Sequence, residues 1–253
     1  AASAVVALPI EDDVRWLLAN SDKASTAVIA AEAGIRLGLT AEVETALDHK
    51  FAHVGARALT ALGEAANPPL PERLLAKATD RRSPMRKALV ALLKAKPHPT
   101  HVPALMTLAK DTWSKDSRHY GDNADFPIAQ SAIQALAEAA PLPPAAAEEL
   151  FSVGLDTQDP DVRNPIFRML AASGGLEFQK RLFDLAVRPG RTAVRRSAAS
   201  ALFQAAENIA LEVVGKISAQ LLATRVEPVA ALLALLLAWR GDPDTVRAVA
   251  EEL

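Results

Sequence analysis

Apolar residues recur at helical spacing in six stretches of this chain. The clearest stretch is Arg191 to Ala206, RTAVRRSAASALFQAA, where Val194, Ala198, Ala201 and Leu202 follow one another at intervals of one to four residues. This spacing places them on one face of a helix, and the prevalence of Ala favours close packing against a neighbouring helix. The same twelve-residue pattern also begins at Val54, Pro84, Ile128, Val162 and Pro228.

One column of this pattern holds leucine in all six copies. The column consists of Leu62, Leu92, Leu136, Leu170, Leu202 and Leu236. By subtraction, successive members are separated by 30, 44, 34, 32 and 34 residues. A recurrence of this size is typical of stacked helical repeats, in which no single helix pair can bury its apolar face alone.

The pattern predicts an all-α fold, a right-handed α-α superhelix of about seven stacked antiparallel helix pairs, as one domain over residues 1–253. Residues 1–39 fit the pattern poorly and are expected to form an atypical N-terminal helix pair. Residues 40–241 carry the repeats, and 242–253 read as the start of a further, truncated repeat. A polar insertion at 111–125 accounts for the separation of 44 residues.

Composition agrees with a helical globular protein, because half of the residues are apolar and only 4% are aromatic. The absence of cysteine excludes a disulfide framework and thiolate metal sites, and it is compatible with the cytoplasmic location that we expect. The longest apolar run, Val229 to Trp239, has eleven residues, so it predicts a buried helix and no membrane span. Since the chain begins without Met and ends within a repeat, we expect a piece of a longer protein.

Paired short helices, this period and an Asp-Pro-Asp turn followed by Val-Arg resemble the HEAT-repeat family over roughly residues 40–241. The matching residues are Asp159, Pro160, Asp161, Val162 and Arg163 in one copy, and Val194, Arg195, Ala198 and Leu202 in another. The resemblance implies that the second helix of each pair lines a concave groove. It also implies that Arg163 and Arg195 form an internal ladder with Asp residues of the next repeat. It does not imply a role, because many unrelated proteins share such arrays.

Polar positions of the pattern, offset by four residues, lie on one face of each second helix. We call them the groove stripe, and the resemblance places them in the concave groove as a surface for another protein or a peptide. Amides and Arg suit recognition of a peptide or an acidic partner, whereas the same face could equally be solvated with no partner. The groove stripe consists of Arg86, Lys94, Gln130, Gln134, Glu138, Asn164, Arg168, Arg196, Ser200 and Gln204.

The insertion is a second candidate contact surface. It contains Trp113, Arg118, His119 and Tyr120, the only tyrosine of the chain. Large aromatic side chains on a polar loop favour a binding role. The alternative is a spacer that Trp113 anchors to the core.

Charge supplies an alternative function, nucleic-acid or phosphate binding through the basic segment 73–118. From Glu72 to Arg118 there are eleven Lys and Arg against four acidic residues, which is +7 in a chain of net charge −2. Its centre would be the patch of Arg81, Arg82, Arg86 and Lys87. Because no aromatic residue lies among these charges before Trp113, base stacking has little support and a solvated face is the simpler interpretation.

Catalytic and metal-binding motifs are sparse, so we expect no enzyme and no cofactor. His49 and His53 are four residues apart, but the Glu of a two-histidine zinc motif is missing between them. Trp113, Asp116 and Arg118 could imitate the site of a HEAT-like DNA glycosylase or lyase, which is the one enzymatic exception. The sequence therefore predicts a protein–protein interaction scaffold, without naming its partner or oligomeric state.

Overall fold

The computed structural model describes residues 11–114, 126–139, 142–221 and 227–240, together with Arg247. Within these residues every regular element is a helix, and each helix packs against its neighbours. The predicted all-α class is therefore confirmed. The expected start of a further repeat at 242–253 lies outside the described residues, except for Arg247.

The contacts of the chain group it into two compact units. Unit 1 comprises Ala1–Lys115 and Phe126–Ala140, and unit 2 comprises Asp116–Asp125 and Pro141–Leu253. In both units every second described helix packs on the one two places further along the chain. We call the first helix of each successive pair an A helix and the second a B helix.

The described helices of unit 1 are α1 (Glu11–Asn20), α2 (Ala24–Arg36), α3 (Thr40–Thr45), α4 (Ala52–Ala65), α5 (Glu72–Leu75), α6 (Ser83–Ala95), α7 (Val102–Ala109) and α8 (Pro127–Ala139). The B helices α2, α4, α6 and α8 pack on one another in that order. Short 3-10 turns at Ala46–Asp48 and Ala76–Thr79 extend the A helices α3 and α5.

The described helices of unit 2 are α9 (Pro144–Asp156), α10 (Pro160–Ser173), α11 (Gly175–Val187), α12 (Thr192–Gln204), α13 (Leu211–Gln220) and α14 (Glu227–Trp239). The B helices α10, α12 and α14 pack on one another in that order. The A helices α9, α11 and α13 each contact the B helix that follows them.

Local sequence explains how two of the B helices begin. The Asp159 side chain accepts a hydrogen bond from the Asp161 N–H at 2.8 Å, and Pro160 occupies the first turn of α10, as expected from the Asp-Pro-Asp motif. Helix α12 begins at Thr192, and the capping position is Arg191, which makes no side-chain cap.

The core is built from the predicted column and from small residues beside it. All six column leucines are buried, which confirms their assignment to the scaffold. In α4, a Cβ at Gly55 would lie 2.7 Å from the Leu47 carbonyl oxygen and 3.0 Å from Met85 Sδ. The backbone of α4 thus approaches the preceding A helix so closely that no side chain fits there.

The apolar run near the C-terminus forms α14, and it is buried on one side only. Val229, Leu233 and Leu236 are fully buried, whereas Leu235 and Trp239 are 52% and 64% exposed. The prediction of a buried helix was therefore correct for one face and wrong for the other. Among the helices described, none combines the length and the apolar character needed to cross a bilayer.

Polar bonds between successive repeats have a narrow range of sequence separations. Each described hydrogen bond that joins a side chain to the backbone of another repeat links residues 29 to 36 positions apart. For example, Lys96 Nζ reaches the Gly63 carbonyl oxygen at 2.7 Å, and Arg240 Nη1 reaches that of Ala206 at 3.1 Å. This range matches the period of the leucine column.

His101 is one of these linking residues, and its side chain is fully buried. Its Nε2 accepts a hydrogen bond from the Leu70 N–H at 3.0 Å, so the neutral ring carries its proton on Nδ1. Burial, together with the charge of His98, lowers the pKa of His101 below its ordinary value. Protonation would remove the acceptor for Leu70 and place a charge in the core.

We expect His101 to make stability depend on pH. Because its pKa is lower in the folded state, the unfolded chain binds the proton first, and stability falls as pH drops below the ordinary histidine pKa of about 6.5. The urea concentration at the midpoint of unfolding should therefore decrease when the pH is lowered from about 7.5 to about 5.5. His101→Gln should reduce that decrease. The control His98→Gln should retain most of it, and an equal pH dependence in His101→Gln and the unaltered protein would contradict the assignment.

Candidate functional site

In unit 1 the groove stripe brings residues of two successive B helices into contact. Lys94 Nζ of α6 donates a hydrogen bond to Gln134 Oε1 of α8 at 2.9 Å, and both side chains are exposed. Glu138 is also exposed, one turn further along α8, and Gln130 is half-buried. Polar positions from neighbouring repeats thus form one continuous surface on α6 and α8.

Arg86 differs from the other stripe residues of unit 1, because it is held inside the structure. Its guanidinium is paired with the Asp111 carboxylate and donates to the Asp80 carbonyl oxygen at 2.6 Å. The two paired side chains are only 15% and 5% exposed. Arg86 therefore ties the start of α6 to the segment after α7, and its guanidinium is already occupied by intramolecular acceptors.

In unit 2 three side chains of the groove stripe are exposed and have no partner among the described residues. Asn164 and Arg168 of α10 and Arg196 of α12 are exposed, and no described residue forms a hydrogen bond or ion pair with them. Ser200 is half-buried and accepts a hydrogen bond from Gln204 Nε2 at 3.0 Å. Since α10 and α12 pack together, this surface presents two uncompensated guanidinium groups and an amide on neighbouring helices.

The insertion is described only at its beginning. Trp113 is half-buried, and its backbone N–H donates to Asp111 Oδ1 at 2.8 Å. Lys87 Nζ lies 3.4 Å from the centre of the Trp113 ring. These contacts fix Trp113 to the structure that holds Arg86. Arg118, His119 and Tyr120 lie outside the described residues.

The four arginine and lysine residues of the predicted basic patch have different environments. Arg82 is half-buried, pairs with Asp80 at 2.7 Å and donates to the carbonyl oxygens of His49 and Leu47 at 2.9 and 3.1 Å. Its hydrogen bonds lower the pKa of Asp80 to about 2. Arg82 and Arg86 therefore serve the scaffold, whereas Arg81 and Lys87 are exposed.

The spaced histidines also have structural contacts. The Nε2 atoms of His49 and His53 lie 3.2 and 3.0 Å from the carbonyl oxygens of Ala19 and Asp22, at the end of α1 and after it. The Phe51 ring lies between the two imidazoles, 5.6 Å from each ring centre. Within the described part of the chain, no group of three or more His, Asp or Glu is placed to hold a metal ion.

Arg163 and Arg195, expected to pair with Asp residues of the next repeat, contact backbone of their own helix pair. Arg163 is 3% exposed and donates to the Thr157 carbonyl oxygen. Arg195 donates to the carbonyl oxygens of Ala186 and Val187 at 3.0 and 3.4 Å. Both are bound within the structure, but the described contacts correct the expected partner from a carboxylate to helix-end carbonyls.

Two groups of residues were missed by the sequence reasoning. Lys96 and Arg240 each follow directly after a copy of the twelve-residue pattern. Lys96 donates to carbonyl oxygens at the end of α4, and Arg240 donates to those of Ala206 and Glu207 in the 3-10 turn after α12. Their shared position in the pattern was a usable signal. The other group surrounds a cavity in unit 2, where four arginines occur between Arg181 and Arg195.

Comparison with known proteins finds no match. No protein-family model matches the chain, and no curated protein sequence matches it.

We expect Arg86→Ala to destabilise the protein by about 3 kcal/mol, because it leaves the nearly buried Asp111 carboxylate without its counter-charge. Chemical unfolding followed by circular dichroism measures the difference. Arg81→Ala removes the same charge from an exposed position nearby and should change stability by no more than about 0.5 kcal/mol. Equal effects of the two substitutions would show that the Arg86 pair does not stabilise the fold.

Proposed function

We propose that this chain is a protein-recognition scaffold of the HEAT-repeat type, an α-solenoid of about seven helix pairs. Two observations support the architecture. Within each unit the B helices pack on one another in chain order, and the polar bonds between repeats span 29 to 36 residues. Such arrays bind partners along extended surfaces on one row of helices.

The observation that carries the functional proposal is the unpaired set on α10 and α12. Asn164, Arg168 and Arg196 are exposed and make no hydrogen bond or ion pair with any described residue. Elsewhere in the described structure many arginines are bound by carboxylates or by helix-end carbonyls, as Arg86 and Arg195 are. Guanidinium groups left open on one face favour an acidic partner, because Arg binds carboxylates through paired hydrogen bonds.

Gln134 and Lys94 of unit 1 also support binding of an acidic partner, through an amide and an ammonium group. Gln134 and Lys94 are exposed and bound to each other, so a partner that contacts one side chain also contacts the other. An acidic or amide-bearing peptide segment could replace this hydrogen bond with its own. We therefore propose that the partner is a protein that presents an acidic, extended segment to the B helices.

A triple substitution, Gln134→Ala with Arg168→Ala and Arg196→Ala, tests the groove stripe. The protein is immobilised and the captured proteins are quantified by mass spectrometry. We expect the amount of at least one specifically captured partner to fall by about tenfold or more, since a few central residues carry most of the binding energy of an interface.

The matched control is Arg36→Ala with Gln158→Ala and Lys216→Ala. It also removes one amide and two positive charges from exposed positions, all of them outside the stripe. The control should capture what the unaltered protein captures. If the stripe variant keeps every partner, or if the control loses the same partners, the groove stripe is not the binding surface.

The alternative, nucleic-acid binding through the basic segment, has less support. Arg82 and Arg86 are bound by Asp80, Asp111 and backbone carbonyls, so Arg81 and Lys87 are the exposed charges of the patch. We expect no retardation of duplex DNA or RNA by the purified protein at low salt, where phosphate contacts are strongest.

The same gel-shift measurement can favour the alternative. A shift that weakens steeply with added salt, and that Arg81→Ala with Lys87→Ala abolishes, would identify the patch as a phosphate-binding surface. Replacement of the stripe residue Arg196 by Ala is the control, because it removes a positive charge outside the patch.

A further inference from the structure

Unit 2 contains a cavity of about 450 Å3 between α9, α11 and the start of α12. Much of its wall is apolar, with Phe151 and Leu155 contributed by α9, Leu185 by α11 and Val194 by α12. A volume of this size lies within the range of small-ligand sites, which combine apolar walls with a few polar groups.

The polar groups of this cavity are mainly arginines. Arg181, Arg188, Arg191 and Arg195 line it together with one acidic residue, Asp184. Four positive charges less one negative charge leave +3 among the lining residues. Such a concentration of one sign is costly unless counter-charges lie nearby or bind there.

Two of the four arginines have carboxylate partners in the structure. Arg181 Nη1 lies 2.7 Å from both carboxylate oxygens of Glu148, and its guanidinium is 3.9 Å from the Phe151 ring centre. Arg188 pairs with Asp184 at 3.0 Å. These two charges are compensated within unit 2.

Arg191 and Arg195 have no such compensation among the described residues. Arg191 donates one N–H to the Leu155 carbonyl oxygen, and Arg195 donates to those of Ala186 and Val187. A guanidinium carries five N–H donors, so both residues have donors to spare. Their described acceptors are neutral carbonyl groups, and no described carboxylate is paired with either arginine.

Two further features raise the positive potential at this place. Helix α12 starts beside the cavity without a side-chain cap and without an acidic residue in its first turn, so its N–H dipoles are not offset there. Arg163, on α10, is 3% exposed and its Nε has no hydrogen-bond partner among the described residues. Burial, and then the charge of Arg191, lowers the pKa of Arg163, whereas the charge of Asp159 opposes that shift.

We propose that this cavity binds a carboxylate joined to an apolar group, with the carboxylate at Arg191 and Arg195 and the apolar group against Phe151, Leu155 and Val194. A planar carboxylate matches the donors of a guanidinium, and the apolar wall selects against a bare anion. The C-terminus of a peptide and a medium-chain carboxylic acid both present this chemistry. The proposal does not depend on the groove stripe, because none of the stripe residues lines the cavity.

Titration calorimetry with the whole chain tests the ligand chemistry. The first probe pair is N-acetyl-leucyl-phenylalanine as the free acid and as its C-terminal amide, in which an uncharged carboxamide replaces the carboxylate and the rest of the molecule is the same. We expect the acid to bind at least about tenfold more tightly than the amide, as for a charge-assisted hydrogen bond in a partly desolvated site.

Octanoate and inorganic phosphate complete the set of probes. Octanoate binding without peptide binding would identify a small carboxylic acid as the ligand, and peptide binding would identify a chain terminus, so either result supports the proposal. Phosphate binding as tight as that of the acids would overturn the part of the proposal in which the apolar wall contributes to binding. Failure of every acid to bind at millimolar concentration would overturn the proposal entirely.

Adjacent arginines on α12 provide a matched pair of variants. Arg195 lines the cavity and Arg196 does not, so Arg195→Gln should weaken binding of the acid about tenfold while Arg196→Gln leaves it unchanged. Arg191→Gln, at an exposed position, should weaken binding similarly and keeps the test valid if Arg195→Gln does not fold. Unchanged binding in Arg191→Gln, or an equal loss in Arg196→Gln, would exclude the cavity as the site.

Discussion

The rest of the structure depends on the close approach of each B helix to its neighbours. The column leucines are buried at these contacts, and small residues on the facing helix make space for them. At Gly63 of α4, for example, the Leu92 side chain of α6 occupies the space that a Cβ would need. Gly55 does the same toward the Leu47 carbonyl oxygen. A helix pair of this kind cannot cover its own apolar face, so each described B helix buries its leucines against its neighbours.

This close packing also determines which backbone carbonyls the Lys and Arg side chains bind. Helices that pack so tightly bring their carbonyl ends beside the next repeat, and those carbonyls need donors. Lys96 meets the end of α4 through the carbonyl oxygens of Gly63, Glu64 and Ala66, and Arg240 occupies the equivalent position beside the end of α12. A cation at a helix C-terminus contributes about 0.3–1 kcal/mol through the helix dipole, so these residues belong to the scaffold.

Many Arg and Lys side chains are bound by carboxylates and backbone carbonyls of the scaffold, so those without a described partner are informative. Arg82 and Arg86 lie in the basic segment 73–118, yet both are held by carboxylates and carbonyls. Arg168 and Arg196 lie outside that segment, and both are exposed without described partners. The charge of a segment therefore does not show which of its arginines are bound within the structure.

The sequence by itself determined the helices, the leucine column and the Asp159 cap, because each of these depends on residues within one turn or one repeat. It also indicated which face of each B helix is polar. Only the tertiary structure decided which arginines are bound and which have no described partner, since several of them bind backbone carbonyls, which any residue type supplies. Those carbonyls lie up to 36 residues away, and packing alone brings them within reach. The cavity at Arg191 and Arg195 was hidden for the same reason: its walls come from three helices that no local pattern connects.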